Sequence, residues 1–409
     1  MSEPIRTYHE HIPILKEELV NNGSLSLVLL DISPFTLIEE QYGIQTYSLV
    51  RHHIFSLLKE QSGKDFRKED MLVLEEPGGF RILLFLSPRR HLTTLSYESL
   101  EAMRLRLMEA LVPKLLRTAS PYLKTTPRIS IGYAIGIYNP LMDPHHNILR
   151  MIREAIDQAQ WQQKTEEINT LKNLREVILN EEIITLYQPI VNLRDGQPVA
   201  YEALARGNAG STFPTADKLF DAAIRHHLLV ELDRVCRKQA LHYSHRLPSG
   251  TKVFINTLPA TIRDPEFQGK HLVESLERAY ITPDRIVIEI TEKMVIDNLN
   301  LFLDAMTDFT ALGMSFAVDD VGSGYSGLET IGKLKPSYLK VDMSLVQGIH
   351  TSIMKREMLN AIISMGRGIG AKVIAEGIEV PEELKTLQAI GVDYGQGYLL
   401  GRPDLMSTS

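Results

Sequence analysis

The strongest constraint on the fold comes from the second half of the chain, where eight short apolar runs alternate with segments long enough for a helix. The runs are ITLYQPIV, PVAYEALAR, KVFINTLP, RIVIEITE, SFAVDDVG, YLKVDMS, KVIAEGIE and DYGQGYLLG. Such alternation is typical of βα units around a parallel sheet. Eight units in about 240 residues have the usual size of a (β/α)8 barrel, which is the α/β fold that we predict for this half.

Almost every one of these runs begins apolar and ends in a carboxylate, an amide or a lysine. The polar residues at the ends are Gln188, Glu202, Asn256, Glu289, Glu292, Asp319, Asp320, Lys340, Asp342, Glu376, Glu379 and Gln396. In a barrel the carboxyl ends of the strands gather at one face, where active sites are built. Crowded carboxylates repel one another, and oxygen-preferring divalent cations such as Mg²⁺ or Mn²⁺ would neutralise them. The alternative is that each acid only caps the helix after its strand, which would explain one or two of them but not the set.

The first part of the chain alternates helix-like stretches with a few short β runs, which predicts a mixed α/β domain. A polar segment from residue 147 to about 181 has apolar residues at helical spacing and contains no Gly or Pro. It is either a helix of the first domain or a helix that joins two domains. We expect a first domain at 1–165, a connecting helix at 166–180 and a barrel at 181–409.

Composition excludes several classes of protein. The 409 residues are 44% hydrophobic and 23% charged, as in ordinary globular chains. A single cysteine, Cys236, excludes a disulfide framework and a cysteine-built zinc site. The net charge of −7 supplies no basic excess for binding a nucleic-acid polymer. No apolar run approaches the ~20 residues that cross a bilayer, so we expect a cytoplasmic protein without a membrane partner.

The motifs in the second half, read in order, resemble those of an EAL domain, a cyclic di-GMP phosphodiesterase. They are YQPIV, YEALAR, FINTLP, IEITE, AVDDVGSGYSGL, LKVDMSL, AEGIE and QGYLLGRP, and the resemblance covers residues 171–405. It implies two divalent ions, Mg²⁺ or Mn²⁺, held by Glu202, Asn256, Glu289, Asp319, Asp320 and Glu376. Two such cations would clamp the attacking and leaving oxygens of a displacement at phosphorus.

The same resemblance implies roles for the remaining polar residues. Lys340 would position the attacking water, Glu379 and Gln396 would lie around the second metal and the water, and Glu292 would hold the loop after the fifth strand. The residues implied to contact cyclic di-GMP are Gln188, Arg206, Asp342 and Gln396. Arginine suits phosphate, since its planar fork can hold two oxygens.

One departure from the family lies beside the paired aspartates, where Val321 replaces the usual Phe. Loss of the ring would loosen the following loop unless a neighbour packs in its place. The glycines Gly322 and Gly324 would allow the backbone of that loop to bend. Since no implied ligand is missing, we expect an active enzyme. The resemblance also leads us to expect a homodimer through the barrel. The alternatives are a non-hydrolysing cyclic di-GMP receptor and a protein-contact adaptor.

The first domain resembles a degraded GGDEF domain, the fold of diguanylate cyclases. Asp31 stands at a metal position, but Glu39 and Ser48 replace the pair that reads guanine, and the turn Glu76–Phe80 lacks the acidic pair. The resemblance therefore implies a regulatory domain without cyclase activity, with a possible protein partner. The segment Arg67–Asp70 has the RxxD form of an inhibitory cyclic di-GMP site, or is only a charged surface turn.

Overall fold

The computed structural model describes residues 5–87, 96–123, 127–208, 212–293, 299–322 and 328–406. The chain forms two compact units, residues 1–169 and residues 170–409. The division falls inside one long helix, α5 (Pro144–Leu179), so this helix contributes residues to both units. No helix in the described ranges is both long enough and apolar enough to cross a membrane.

The first unit is built on a four-stranded antiparallel sheet in the order β2-β3-β1-β4. Its elements are α1 (Ile12–Asn22), β1 (Ser24–Asp31), α2 (Leu37–Glu60), β2 (Met71–Leu74), β3 (Arg81–Leu86), α3 (Tyr97–Ala110), α4 (Val112–Ala119) and β4 (Ser130–Ile137). Strand β1 buries both of its faces: Leu27 and Leu29 belong to one apolar cluster, while Val28 and Leu30 belong to the other. Side chains alternate along a strand, so both faces of the sheet carry apolar residues, and helices pack on both of them.

The second unit is a closed barrel of eight strands, which confirms the predicted fold class. The strands are β5 (Ile183–Asn192), β6 (Pro198–Gly207), β7 (Lys252–Asn256), β8 (Ile286–Thr291), β9 (Ser315–Val321), β10 (Tyr338–Val341), β11 (Lys372–Ala375) and β12 (Tyr394–Gly395). The helices are α6 (Ala216–Arg225), α7 (Leu229–Tyr243), α8 (Gly269–Arg278), α9 (Leu299–Ala311), α10 (Leu328–Leu334), α11 (Met343–Val346), α12 (Ile353–Ile369) and α13 (Pro381–Ile390). A small cluster that includes Phe254, Val287 and Ile374 is one part of the barrel core.

The expectation of parallel strands throughout is wrong for the first barrel strand. β5 pairs antiparallel with β6 on one side and with β12 on the other. The physical reason is the short connection 193–197 between β5 and β6, since a parallel crossover needs a dozen or more residues. Gly196, with a φ of +74°, donates its N–H to the carbonyl of Asn192 at 2.9 Å and closes this hairpin.

Candidate functional site

Polar side chains from the eight barrel strands or their ends converge at one face of the barrel. Register explains part of this convergence, because Gln188 of β5 lies opposite Glu202 of β6, and Asn256 of β7 lies opposite Glu289 of β8. The other contributors are Asp319 and Asp320 in β9, Lys340 in β10, Glu376 directly after β11 and Gln396 directly after β12. The predicted clustering of strand-end residues is therefore present in the described structure.

Lys340 lies at the centre of this cluster, with a side chain that is only 1% exposed. Its Nζ lies 2.7 Å from Glu376 Oε1, 3.2 Å from Glu202 Oε2 and 3.4 Å from Asp319 Oδ1. Nζ also donates to Oε1 of the fully buried Glu289. One ammonium group thus contacts four carboxylates from four different strands or strand ends.

The carboxylates form two trios with oxygen atoms close enough to share a cation. One trio is Glu202, Glu289 and Glu376, the other is Asp319, Asp320 and Glu376, and the ligand atoms of each trio lie within 4.8 Å of one another. Five carboxylates facing one ammonium leave a formal excess of four negative charges, which is the charge that two divalent cations would balance. The oxygen-only donor set suits Mg²⁺ or Mn²⁺.

Two buried oxygens in this cluster have no hydrogen-bond donor among the described residues. They are Oε2 of Glu289, which is 0% exposed, and Oε1 of Gln396, which is 4% exposed. A buried polar atom without a partner is costly, and a carboxylate oxygen more so. Both atoms are acceptors, so the residues present fit a bound cation or a water beside it.

The charge crowding also perturbs ionisation. Burial, followed by the neighbouring Glu202 carboxylate, raises the pKa of Glu289 well above its ordinary value. Burial raises the pKa of Glu376 to about 8, although Lys340 opposes this shift. Burial and the adjacent Asp319 raise the pKa of Asp320 to about 6. Burial alone would lower the pKa of Lys340, but the carboxylates around it hold that pKa well above its usual range.

Asp319 differs from the other acids of the cluster. Burial is the largest single influence and opposes its ionisation, but the Lys340 ammonium and the hydrogen bonds to this carboxylate together outweigh burial, so the pKa of Asp319 is lowered. Its Oδ1 also accepts the backbone N–H of Asp320 at 2.8 Å. Asp320 itself adopts a φ of +59°, which is uncommon for a residue with a side chain.

Amide side chains orient the Glu202 carboxylate. Asn256 donates its Nδ2 to Glu202 Oε1 at 3.2 Å, and Gln396 donates its Nε2 to Glu202 Oε2 at 2.7 Å. Gln396 Nε2 also lies 2.9 Å from Gln188 Oε1, and Gln188 donates to the Gly401 carbonyl at 3.1 Å. These hydrogen bonds fix the orientation of both glutamine amides, so that Gln396 presents its nitrogen to Glu202.

Four other residues named from the sequence lie away from the trios or at their margin. Glu292 is buried and its Oε2 accepts the backbone N–H of Gly322 at 3.2 Å. Asp342 caps α11 by accepting the Ser344 N–H at 2.9 Å, so helix capping describes its contact here. Glu379 is exposed and accepts from Gln347 at 3.4 Å. Arg206 lines a cavity of about 260 Å³ together with Asn256 and Glu289.

The loop after β9 is only partly described. Val321 is fully buried and belongs to the same apolar cluster as Leu345, so it is packed in spite of its small size. A Cβ on Gly322, whose φ is +94°, would lie 2.3 Å from the Leu345 side chain, so this position needs glycine. Gly324 lies outside the described residues.

Glu383 is a residue that the sequence reasoning missed. It is 4% exposed and its carboxylate accepts the N–H groups of Gly348, Glu379 and Val380 at 2.8, 3.0 and 3.3 Å. These contacts fix the segment that carries Glu379. The spacing of three residues from the helix N-cap Val380 was the available signal, since an acid there commonly accepts the N-cap N–H.

The acids of the first unit have local partners instead. Asp31 accepts from Arg81 Nε at 3.2 Å and from the Ser33 N–H at 2.9 Å, while Arg81 also donates to Glu75 at 3.0 Å. Asp70 accepts the N–H groups of Arg67 and Ser87 at 2.8 and 2.9 Å and the Ser87 hydroxyl at 3.0 Å. The carboxylate of Asp70 in the Arg67–Asp70 segment is thus already hydrogen-bonded to groups of the first unit.

Comparison with known proteins gives a match over most of the second unit. Residues 171–403 match the family described as EAL domain. The chain is 24% identical over 426 residues to the bifunctional diguanylate cyclase/cyclic di-GMP phosphodiesterase MucR of Pseudomonas aeruginosa, covering 95% of this chain and 57% of MucR. It is 29% identical over 248 residues to the cyclic di-GMP phosphodiesterase NbdA of the same organism, covering 58% of this chain and 31% of NbdA.

A solved structure gives the same match in three dimensions. The PaMucR phosphodiesterase in complex with c-di-GMP is similar with a TM-score of 0.51 and 25% identity, over 58% of this chain and 97% of that chain. The chain spans about a third to somewhat over half of the length of the two curated relatives.

Proposed function

The chain belongs to the EAL domain family, and from that premise we propose that its barrel is a metal-dependent phosphodiesterase that hydrolyses cyclic di-GMP to linear pGpG. The observation that carries the proposal is the buried acid cluster, in which five carboxylates face one ammonium. Similar proteins support the substrate, because the names of MucR and NbdA include cyclic di-GMP phosphodiesterase.

Six residues would hold the two cations: Glu202, Asn256, Glu289, Asp319, Asp320 and Glu376. When bound, divalent cations would offset the charge that develops on the phosphoryl oxygens and favour ionisation of a water. The protein's own part is to keep the ligands oriented, and the amides of Asn256 and Gln396 do this for Glu202.

Lys340 and the outer residues would act on the water and the dinucleotide. The Lys340 ammonium is the fixed donor nearest the acids, so it would hold the attacking water by a hydrogen bond. Glu379, at the exposed rim, would assist there, and Glu292 would keep the loop after β9 in place through Gly322. Gln188, Arg206, Asp342 and Gln396 would contact cyclic di-GMP.

For the first unit we propose a GGDEF-like fold without cyclase activity. The alignment with MucR, whose name includes a diguanylate cyclase, extends over 95% of this chain and so includes the first unit. The Asp31 carboxylate is already paired with Arg81, whose positive charge neutralises the negative charge that a metal cation would need. Glu39, Ser48 and the Glu76–Phe80 turn add to this argument.

The second candidate is a receptor that binds cyclic di-GMP without hydrolysis. The assembled cluster around Lys340 favours the enzyme, since a receptor has no need of buried acids in such excess. Incubation of the purified chain with cyclic di-GMP and Mn²⁺ or Mg²⁺, followed by chromatography, should yield pGpG, and excess EDTA should stop it. Binding by calorimetry without any pGpG would establish the receptor instead.

A further inference from the structure

Lys340 has more negative partners than one ammonium can neutralise. Its Nζ contacts the carboxylates of Glu202, Glu289, Asp319 and Glu376, and its side chain is 1% exposed. These acids come from β6, β8, β9 and the end of β11, so the lysine links segments far apart in sequence. Water cannot screen the contact between Lys340 and Glu289, because the Glu289 side chain is 0% exposed as well.

Without a counter-charge these carboxylates would repel one another strongly. Breaking a buried ion pair by removing one partner is strongly destabilising, because the remaining charge stays buried and unpaired. Lys340 is also located where it would repel an incoming cation, since its Nζ is within 3.4 Å of oxygens from both trios. The Lys340 charge therefore stabilises the cluster of carboxylates but also weakens the binding of a cation to it.

We propose that Lys340 is the resident cation of the metal-free site: it holds the carboxylates of the two trios together before metals bind, and it limits metal affinity once they bind. The proposal rests on the proposed function, because it assumes that the trios bind divalent cations. It adds a structural and affinity-setting role to the water-positioning role given above. The site therefore stays assembled without metal, but it binds metal less tightly than it would without the lysine charge.

The test compares Lys340→Met with Lys372→Met in the full chain. Methionine removes the charge and keeps a long apolar side chain. Lys372 is the matched control because it also lies in a barrel strand, but its ion pair among the described residues is with Asp393 at 2.9 Å and its side chain is 55% exposed. Calorimetric unfolding in EDTA and in excess Mn²⁺, together with Mn²⁺ titration at alkaline pH, gives readouts that do not depend on hydrolysis.

In EDTA, Lys340→Met should lower the unfolding temperature of the barrel by about 10 °C. Excess Mn²⁺ should recover more than half of that loss, and Mn²⁺ should bind about tenfold more tightly than in wild type. Lys372→Met should behave as wild type in both respects. An unchanged unfolding temperature in EDTA, or a deficit that Mn²⁺ does not reduce, would overturn the role of Lys340.

A double variant keeps the test decisive if Lys340→Met does not fold without metal. Glu289→Gln removes one negative charge from the cluster, so it should stabilise the Lys340→Met protein more than it stabilises wild type. Equal effects in the two backgrounds would contradict the proposal. If wild type itself neither binds Mn²⁺ nor gains stability from it, the metal-dependent function fails, and the two failures are thereby distinguished.

Discussion

In the part of the first unit that the structure describes, the buried acids Asp31 and Asp70 each have separate partners, whereas in the barrel four acids share one lysine. Asp31 is paired with Arg81 and Asp70 is held by backbone N–H groups near it in space. In the barrel, Glu202, Glu289, Asp319 and Glu376 all contact Lys340. The same residue types therefore form fully paired structural contacts in one unit and a cluster with excess negative charge in the other.

The difference lies in the charge balance and not in the number of acids. A carboxylate that accepts an arginine and a backbone N–H has little left to offer a cation. A carboxylate that shares one ammonium with three others retains both charge and free lone pairs, as Glu289 Oε2 does among the described residues. This contrast is the physical basis for proposing chemistry in the barrel and a non-catalytic role for the first unit.

The sharpest test of the contrast removes one acid from each unit. Glu202→Ala should lower the rate of pGpG formation at least about a hundredfold. Loss of a residue that only hydrogen-bonds to a metal ligand already lowers metal affinity or activity about 10–100-fold. Asp31→Asn should leave that rate unchanged, because its carboxylate is outside the barrel cluster. Chromatography of both variants with Mn²⁺ checks this. Full activity of Glu202→Ala would contradict the two-metal assignment.

A second test separates binding from chemistry within the barrel. Lys340→Ala should lower turnover by a factor on the order of 10², since it would lose the group that we propose holds the attacking water. Affinity for cyclic di-GMP, measured by calorimetry, should stay near the wild-type value, which is the pattern of an interaction made mainly in the transition state. Lys372→Ala serves as the control. A parallel loss of affinity and rate would show that Lys340 binds the dinucleotide instead.

The pH dependence of stability should also distinguish the cluster from ordinary paired acids. The pKa of Asp320 is raised from 3.8 to about 6 and that of Glu376 from 4.5 to about 8, so the folded metal-free barrel binds protons that the unfolded chain has released. The free energy of unfolding in EDTA should therefore fall by several kcal/mol as the pH rises from about 4 to about 8.

Denaturant unfolding at a series of pH values measures this fall. Glu376→Gln removes one of the two groups and should make the fall smaller. Excess Mn²⁺ should oppose the trend, because cations bind the ionised acids. A free energy of unfolding that rises across the same window, or an equal slope in Glu376→Gln, would be inconsistent with the raised pKa values.

The smallest effect is expected in the first unit. Arg81→Met leaves Asp31 and Glu75 without their shared arginine and should destabilise this unit by about 2 kcal/mol. It should not change the rate of cyclic di-GMP hydrolysis, because the acids concerned are in the other unit. Arg81→Lys should recover part of the lost stability. Denaturant unfolding and the hydrolysis assay together check both statements.

The alternation of apolar runs was sufficient to predict the barrel and the face at which its polar residues meet. Strand ends determine that face, so the proximity of Glu202, Glu289 and Asp319 follows from the fold alone. The direction of β5 could have been predicted from the short Asp195–Gly196 connection, but the periodicity of apolar residues does not encode strand direction. The central position of Lys340 depends on side-chain packing across four strands, which a linear pattern does not contain.

The antiparallel first strand changes where the chain enters the barrel. Ile183, at the start of β5, pairs with Gly207, the last residue of β6, so β5 begins at the end of the barrel where the acids gather. The helix α5 ends at Leu179, only a short link before that point. A twist or a lengthwise shift of this helix would therefore act directly on the end of the barrel where the acids gather, without having to pass along the length of the barrel.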